Sequence, residues 1–260
     1  MDHYGPLGTG RRQGGIWTVG DRKEKCLELI GSAYWDIGER ERNEDSLIFE
    51  KVKSCRKYIT LVAVADGIGG LSEGEVASGY VVERLVEFFH EKLIPEMNRR
   101  HSLFGNVNMI KGCLYGISKS MCEYAESKRI SMGTTLSMMI IGQNRYILVQ
   151  LGDSAVFRCR GRKMKRISEC HQNKDGSINK CIGSFDYQEP YIKKGFILPN
   201  TGFLVCSDGY YKRLDTNREL FSPKKMENEE DIDRRLKEGA RTVKARGEKD
   251  NMSAVYITIN

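Results

Sequence analysis

Carboxylates stand at the ends of the apolar runs of this chain, and that placement limits what it can fold into. Asp66 closes the run Leu61-Val-Ala-Val-Ala65, and Asp208 follows Phe203-Leu-Val-Cys206 by one Ser. Asp250 precedes the last apolar run, and Glu44-Asp45 precede Ser46-Leu-Ile-Phe49. Runs this short and this rich in β-branched and aromatic residues read as strands. A carboxylate at a strand terminus escapes the core yet is held rigidly, so several can meet at one rim. Taken singly, each would be a turn Asp bonded to its own backbone.

The strands expected are 46–50, 58–65, 134–141, 146–151, 155–159, 164–167, 203–206 and 254–259. Turns at Gly142-Gln-Asn144 and Arg160-Gly-Arg162 fall between consecutive runs, so neighbours pair as antiparallel hairpins. A first helix opens on the capping box Ser72-Glu73-Gly74-Glu75 and runs to about Leu93. A second carries Leu103, Val107, Ile110, Leu114, Ile117, Met121 and Tyr124 at alternating spacings of four and three, the seam of a core-facing helix. A third, 229–246, puts Ile232, Leu236, Ala240 and Val243 on one face, with acids early and bases late to match the helix dipole.

Composition narrows the rest. A chain of 260 residues, 40% hydrophobic and 30% charged, buries a sufficient core without staples. Residues 1–25, rich in Gly and Arg with no apolar period, read as a flexible leader before a single domain over 26–260. The longest apolar runs fall far short of the roughly 20 residues of a membrane span. No apolar secretory segment opens the sequence, so a cytoplasmic home is expected. The net charge of +7 is diffuse, which argues against nucleic acid as a partner. The eight cysteines include no C-x-x-C pair, and reduced thiols are expected rather than disulfides or zinc.

Gly follows Asp66 and Asp208, and Asn follows Asp250. Glycine lets the backbone approach closely, which makes the Gly67 carbonyl a candidate ligand. Gathered carboxylates repel unless a cation neutralises them, and an all-oxygen set suits Mg²⁺ or Mn²⁺. The run Gly67-Ile-Gly-Gly70 is not a dinucleotide-binding turn. Ser72 stands where G-x-G-x-x-G needs its third glycine, and Asp66 would face the pyrophosphate.

In order, the motifs are Arg40-Glu-Arg-Asn-Glu-Asp45, Ala65-Asp-Gly-Ile-Gly-Gly70 with Glu73-Gly-Glu-Val-Ala-Ser78, Met132-Gly-Thr-Thr135, Leu151-Gly-Asp-Ser154, Cys206-Ser-Asp-Gly209 and Asp250-Asn251. The series resembles the metal-dependent protein phosphatases of type 2C, the PPM family, in a compact, bacterial-like form. It spans residues 30 to 260. The resemblance implies an α+β fold, a four-layer α-β-β-α sandwich of two antiparallel sheets flanked by helix pairs. It implies two Mg²⁺ or Mn²⁺ ions at one end, held by Asp66 as the bridge, Gly67 through its carbonyl, Asp208, Asp250 and, directly or through water, Glu44. Arg40 matches the phosphate-binding arginine. The reaction implied is attack of a metal-bridging hydroxide on a phosphomonoester, with no protein nucleophile. The substrate implied is a phosphoserine or phosphothreonine protein, in opposition to a Ser/Thr kinase, and the enzyme a monomer.

Some positions depart from the family pattern. Ile68 stands where many relatives have His, and Ile130 and Cys170 stand where relatives carry acids, so a third metal is expected to be weak or missing and turnover to be lower or differently supported. His171 reads as a lone surface histidine. Asp153, Thr134 and Thr135 read as structural. The stretch between His171 and Cys206 leaves room only for a shortened flap, which speaks against substrate selection there. Ile68, Ile130 and Cys170 also motivate the alternative of a noncatalytic or weakly active regulatory module on the same fold.

Overall fold

The computed structural model describes residues 29–54, 57–71, 73–100, 102–183, 185–214 and 219–259. The leader expected at 1–25 and the Ser72 cap lie outside the described residues. Along the chain come strands β1 (Leu29–Asp36), β2 (Asp45–Ser54) and β3 (Lys57–Asp66), then helix α1 (Gly74–Phe88), α2 (Ile94–Arg100) and α3 (Val107–Lys128). Next are β4 (Gly133–Thr134), β5 (Leu136–Gly142), β6 (Arg145–Leu151), β7 (Ala155–Arg160), β8 (Lys163–Arg166), β9 (Ile182–Gly183), β10 (Tyr191–Phe196) and β11 (Thr201–Cys206). The short α4 (Asp208–Tyr211), α5 (Glu229–Ala245) and β12 (Met252–Ile259) complete the order.

Two five-stranded antiparallel sheets form, one ordered β1-β12-β11-β7-β8 and the other β10-β6-β5-β3-β2, with β4 and β9 as a small separate pair. The hairpins β5-β6 and β7-β8 turn where the sequence signals them, Gln143 and Asn144 taking the positive φ that the first turn requires. The sheets stack face to face, with Val62, Val64, Met139 and Leu148 of one meeting Val156, Phe203, Val205 and Val255 of the other. On the outer face of the β3 sheet lie α1 and α3. On the outer face of the β12 sheet lies α5, with α4 beside it. This is the four-layer α-β-β-α sandwich.

The continuous apolar run of β3 follows from its place. Leu61 and Ala63 point toward α1 and α3, while Val62 and Val64 point between the sheets. A strand covered on both faces cannot alternate polar and apolar residues. Burying each such Val or Leu stabilises by roughly 1.5–3 kcal/mol.

Three helical details differ from the sequence reading. The first helix begins on Glu73, whose side chain makes no cap bond, and helix continues past Leu93. A π turn at Phe89–Leu93 intervenes just before Pro95, whose ring clashes with a regular turn and whose nitrogen has no hydrogen to give. In α3 the seam runs from Ile110 through Met121 to Ala125, and Tyr124 is exposed. In α5 the expected face of Ile232, Leu236, Ala240 and Val243 is buried, and Asn228 caps it by accepting from the Asp231 N–H (2.8 Å). The six described cysteines are free, and no helix is long and apolar enough to cross a membrane among the described residues.

Candidate active site

The ends of β3, β11 and β12, with the loops before β2 and after β3, enclose a cavity of about 530 Å³. Arg40, Glu44, Asp66, Gly67, Asp208 and Asp250 all line it. Six positions spread over more than 200 residues of sequence are thus neighbours in space.

Each is fixed by its own local bonds. Asp66 ends β3, where its N–H donates to Thr135 Oγ1 (3.1 Å) and its carbonyl accepts from the Thr135 N–H (2.8 Å) and Thr134 Oγ1 (2.9 Å). Gly67 donates its N–H to the Glu44 carbonyl (3.0 Å), and a Cβ there would lie 2.5 Å from the Gly74 carbonyl oxygen. Only glycine allows α1 to start so close to the strand end. The Glu44 carboxylate rests against Gly74 in the first turn of α1, the positive end of the helix. Gly209 makes the matching close approach on the other side: a Cβ would lie 2.2 Å from the Asn251 carbonyl oxygen. That contact holds Asp208, at the start of α4, beside Asp250.

Asn251 ties the two ends of the sequence together. Its Nδ2 donates to the carbonyls of Ile37 (2.8 Å) and Arg42 (3.0 Å), and its Oδ1 accepts from the Glu44 N–H (2.9 Å). The loop carrying Arg40 and Glu44 is therefore folded around one side chain at the start of β12. The Asp-Asn pair was visible in the sequence, but nothing local announces that the Asn reaches back over 200 residues.

The electrostatics are those of crowded carboxylates. Burial pushes the Asp66 carboxyl well above the usual range, and Asp45, Asp208, Asp153 and Asp250 push the same way. Asp45, behind it, is pushed up to about 7, first by burial, against the pull of the Ser253 and Ser207 hydroxyls. Neither Asp45 oxygen has a well-formed hydrogen bond. Glu44 is raised by burial and then by Glu75. Two basic side chains answer this charge. Arg40 grips Asp250 through Nε (2.9 Å to Oδ1) and Nη2 (3.0 Å to Oδ2), and Lys212 pairs with Asp208.

Among the described residues no three carboxylate, imidazole or thiol groups converge tightly on one point. Arg40 and Lys212 hold two of the carboxylates. A divalent cation still suits the set: the donors are all oxygens, and buried carboxylates without partners are costly unless protonated or neutralised.

Three findings depart from the sequence reading. Asp153 is not merely structural: it lines the cavity, accepts from Gln172 Nε2 (3.2 Å), and is raised first by burial and then by Asp208. His171 is buried, not a surface residue. Its N–H donates to the Gly152 carbonyl (3.0 Å), and its Nε2 lies 3.4 Å from Glu169. Between His171 and Cys206, Gln172, Ser177, Asn179 and Gln188 form one wall of the cavity, with Ile68 and Phe185 as its apolar part. Thr134 and Thr135 act as expected, shaping the end of β3.

A fold and a rim of this kind define a phosphatase class, and comparison with known proteins agrees. The profile of the protein phosphatase 2C family matches residues 36–255. The chain belongs to that family, the metal-dependent serine/threonine protein phosphatases. It is similar to protein phosphatase PhpP of Streptococcus pneumoniae, 23% identical over 193 residues, a match covering 70% of this chain and 75% of that protein. Among solved structures it is similar in fold to the catalytic domain of the serine/threonine phosphatase PstP in complex with two manganese ions. There the TM-score is 0.68 at 23% identity, covering 89% of this chain and 98% of the other. It is also similar to PppA of Pseudomonas aeruginosa, with a TM-score of 0.70 at 23% identity over 90% of this chain and 99% of that one.

Proposed function

We propose that this chain hydrolyses phosphoserine and phosphothreonine in protein substrates with the help of two divalent cations, Mg²⁺ or Mn²⁺, held by Asp66, the Gly67 carbonyl, Asp208, Asp250 and Glu44. The observation that carries the reading is the gathering of these donors and Arg40 around one cavity, in an order that follows the family motifs. The manganese pair of PstP belongs to that protein and supports a two-ion site here by analogy. Bound at this rim, the cations supply solvent of lowered pKa as the attacking group and neutralise charge on the phosphoryl oxygens. The side chains do the rest. Asp208 and Asp250, now paired with Lys212 and Arg40, would be the carboxylates to hold a cation, and the planar fork of Arg40 would hold the phosphoryl group in line. Asn251 keeps Arg40 and Glu44 in position throughout. A protein substrate implies a Ser/Thr kinase working in the opposite direction.

The reading is tested by hydrolysis of p-nitrophenyl phosphate and of a phosphothreonine peptide, with and without Mn²⁺. Turnover that requires the metal and is lost, by on the order of a thousandfold or more, in Asp208→Ala is the expected result. No turnover in any divalent metal would support the noncatalytic module that Ile68, Ile130 and Cys170 suggest.

A further inference from the structure

Among the described residues Lys212 is the one basic side chain besides Arg40 on the cavity wall, and no family motif quoted above contains it. It pairs with Asp208 and faces Asp153, whose ionisation it favours. An ion pair four residues apart on a helix is ordinarily a surface detail. Here the helical turn is pinned. Tyr210, fully buried, donates to the Leu236 carbonyl (2.8 Å). Tyr211 donates to the Asp153 carbonyl (3.0 Å) and accepts from Arg166 Nη1 (3.1 Å). The Lys212 N–H closes the turn on the Asp208 carbonyl (2.9 Å). With α4 anchored on both sides, the stem of the lysine starts from a fixed point at the cavity wall.

We propose that Lys212 is a second phosphate-binding residue, meeting the phosphoryl group of the substrate together with Arg40. The proposal rests on the phosphatase reading and goes beyond it in naming this residue. The charges balance in its favour. Glu44, Asp66, Asp208 and Asp250 together would match the charge of two divalent cations, which would free the basic groups that now hold Asp250 and Asp208. One guanidinium and one ammonium, the latter with Asp153 beside it, would then face a phosphomonoester that carries close to two negative charges near neutral pH. Arg40 offers a planar fork that fixes orientation, and Lys212 a compact point charge that adjusts to the group as it flattens.

The test uses inorganic phosphate as the probe, titrated by calorimetry into the Mn²⁺-loaded protein and used as a competitive inhibitor of p-nitrophenyl phosphate hydrolysis. Parent, Lys212→Met and Lys212→Arg proteins are compared, with Mn²⁺ isotherms recorded for each. Lys212→Met is expected to weaken phosphate about tenfold in both measurements, as loss of a charge-assisted contact does. Its Mn²⁺ stoichiometry should be unchanged and its Mn²⁺ affinity equal or tighter, since Asp208 no longer has to leave an ammonium. Lys212→Arg should keep most of the phosphate affinity. Phosphate binding by Lys212→Met within twofold of the parent overturns the proposal and leaves the lysine as a counterion of Asp208. Loss of Mn²⁺ binding in Lys212→Met overturns it too, because the effect would then lie in the cation site. If the parent shows no hydrolysis, the phosphatase reading fails separately, and the calorimetric arm still decides the role of Lys212.

Discussion

The two walls of the cavity are built by different means. On one, Asp66, Asp208 and Asp250 ride on the ends of β3, β11 and β12, Thr134 and Thr135 fix the backbone of Asp66, and Asn251 fixes the loop carrying Arg40 and Glu44. On the other, residues 172–188 bond largely among themselves. Gln172 Nε2 donates to the Gly176 carbonyl (2.8 Å), Asn173 Nδ2 to Ser177 Oγ (2.9 Å), Asn179 Nδ2 to Asn173 Oδ1 (3.1 Å), and Gln188 Nε2 to the Asn179 carbonyl (3.0 Å). The first wall cannot change without disturbing the sandwich, whereas the second can change in sequence at little cost to the fold. On the function proposed above, chemistry would fall to the first and the choice of substrate to the second.

That contrast can be broken at three points. The largest effect is expected at Asn251, which braces the rigid wall without touching substrate. Asn251→Ala removes three hydrogen bonds to the loop carrying Arg40 and Glu44. Activity and Mn²⁺ affinity should fall about 10–100-fold, the usual cost of losing a group that orients metal ligands. A Mn²⁺ titration of the rate measures both, and an unchanged titration would show that the loop holds its shape unaided.

Next comes the charge stored behind the rigid wall. The Asp45 carboxyl titrates near 7 in the folded protein, above the 3.8 of an ordinary aspartate. The folded state therefore keeps a proton that the unfolded chain has already lost. Asp45 favours folding fully below the lower value, and that contribution disappears as pH rises toward and through about 7. The metal-free protein should melt at progressively lower temperature over that window. Asp45→Asn should flatten the dependence and raise the midpoint at pH 8 by a few degrees. Parallel melting curves for the two proteins across this range would refute the assignment.

The smallest effects belong to the loop wall. Alanine at Asn179 and Gln188 should raise KM for a phosphopeptide roughly two- to tenfold, as loss of one or two neutral hydrogen bonds does. Both constants for p-nitrophenyl phosphate, too small to touch that wall, should stay as they are. Equal changes for both substrates would place these residues in the chemistry and erase the distinction between the walls.

The same contrast explains what could be read in advance. Central strands such as β3 are legible because both faces are buried and the run is apolar throughout. The strands β1 and β10 carry a weaker signal, and edge position alone is not the reason, for the edges β2 and β8 read as strands at 46–50 and 164–167. Tyr191-Ile-Lys-Lys-Gly-Phe196 has no inward row of apolar residues to betray it, and Leu29-Ile-Gly-Ser-Ala-Tyr-Trp-Asp36 is broken by Gly31 and exposes Trp35. The carboxylates could be nominated because strand ends are local features of sequence. The reach of Asn251 back to Ile37 and Arg42, the place of Asp153 on the cavity wall and the burial of His171 are products of tertiary closure. No spacing along the chain encodes them.

Strand β12 sits between β1 and β11 in its sheet and brings Asp250 and Asn251 to the rim. During synthesis the earlier part of the chain can therefore emerge, collapse and even stack its other sheet while the reaction centre is still missing a brace and a carboxylate. The nascent polypeptide gains the power to act on other proteins only when its most distant segments have met. A product that stops before β12 leaves the edges of β1 and β11 that face it without a partner.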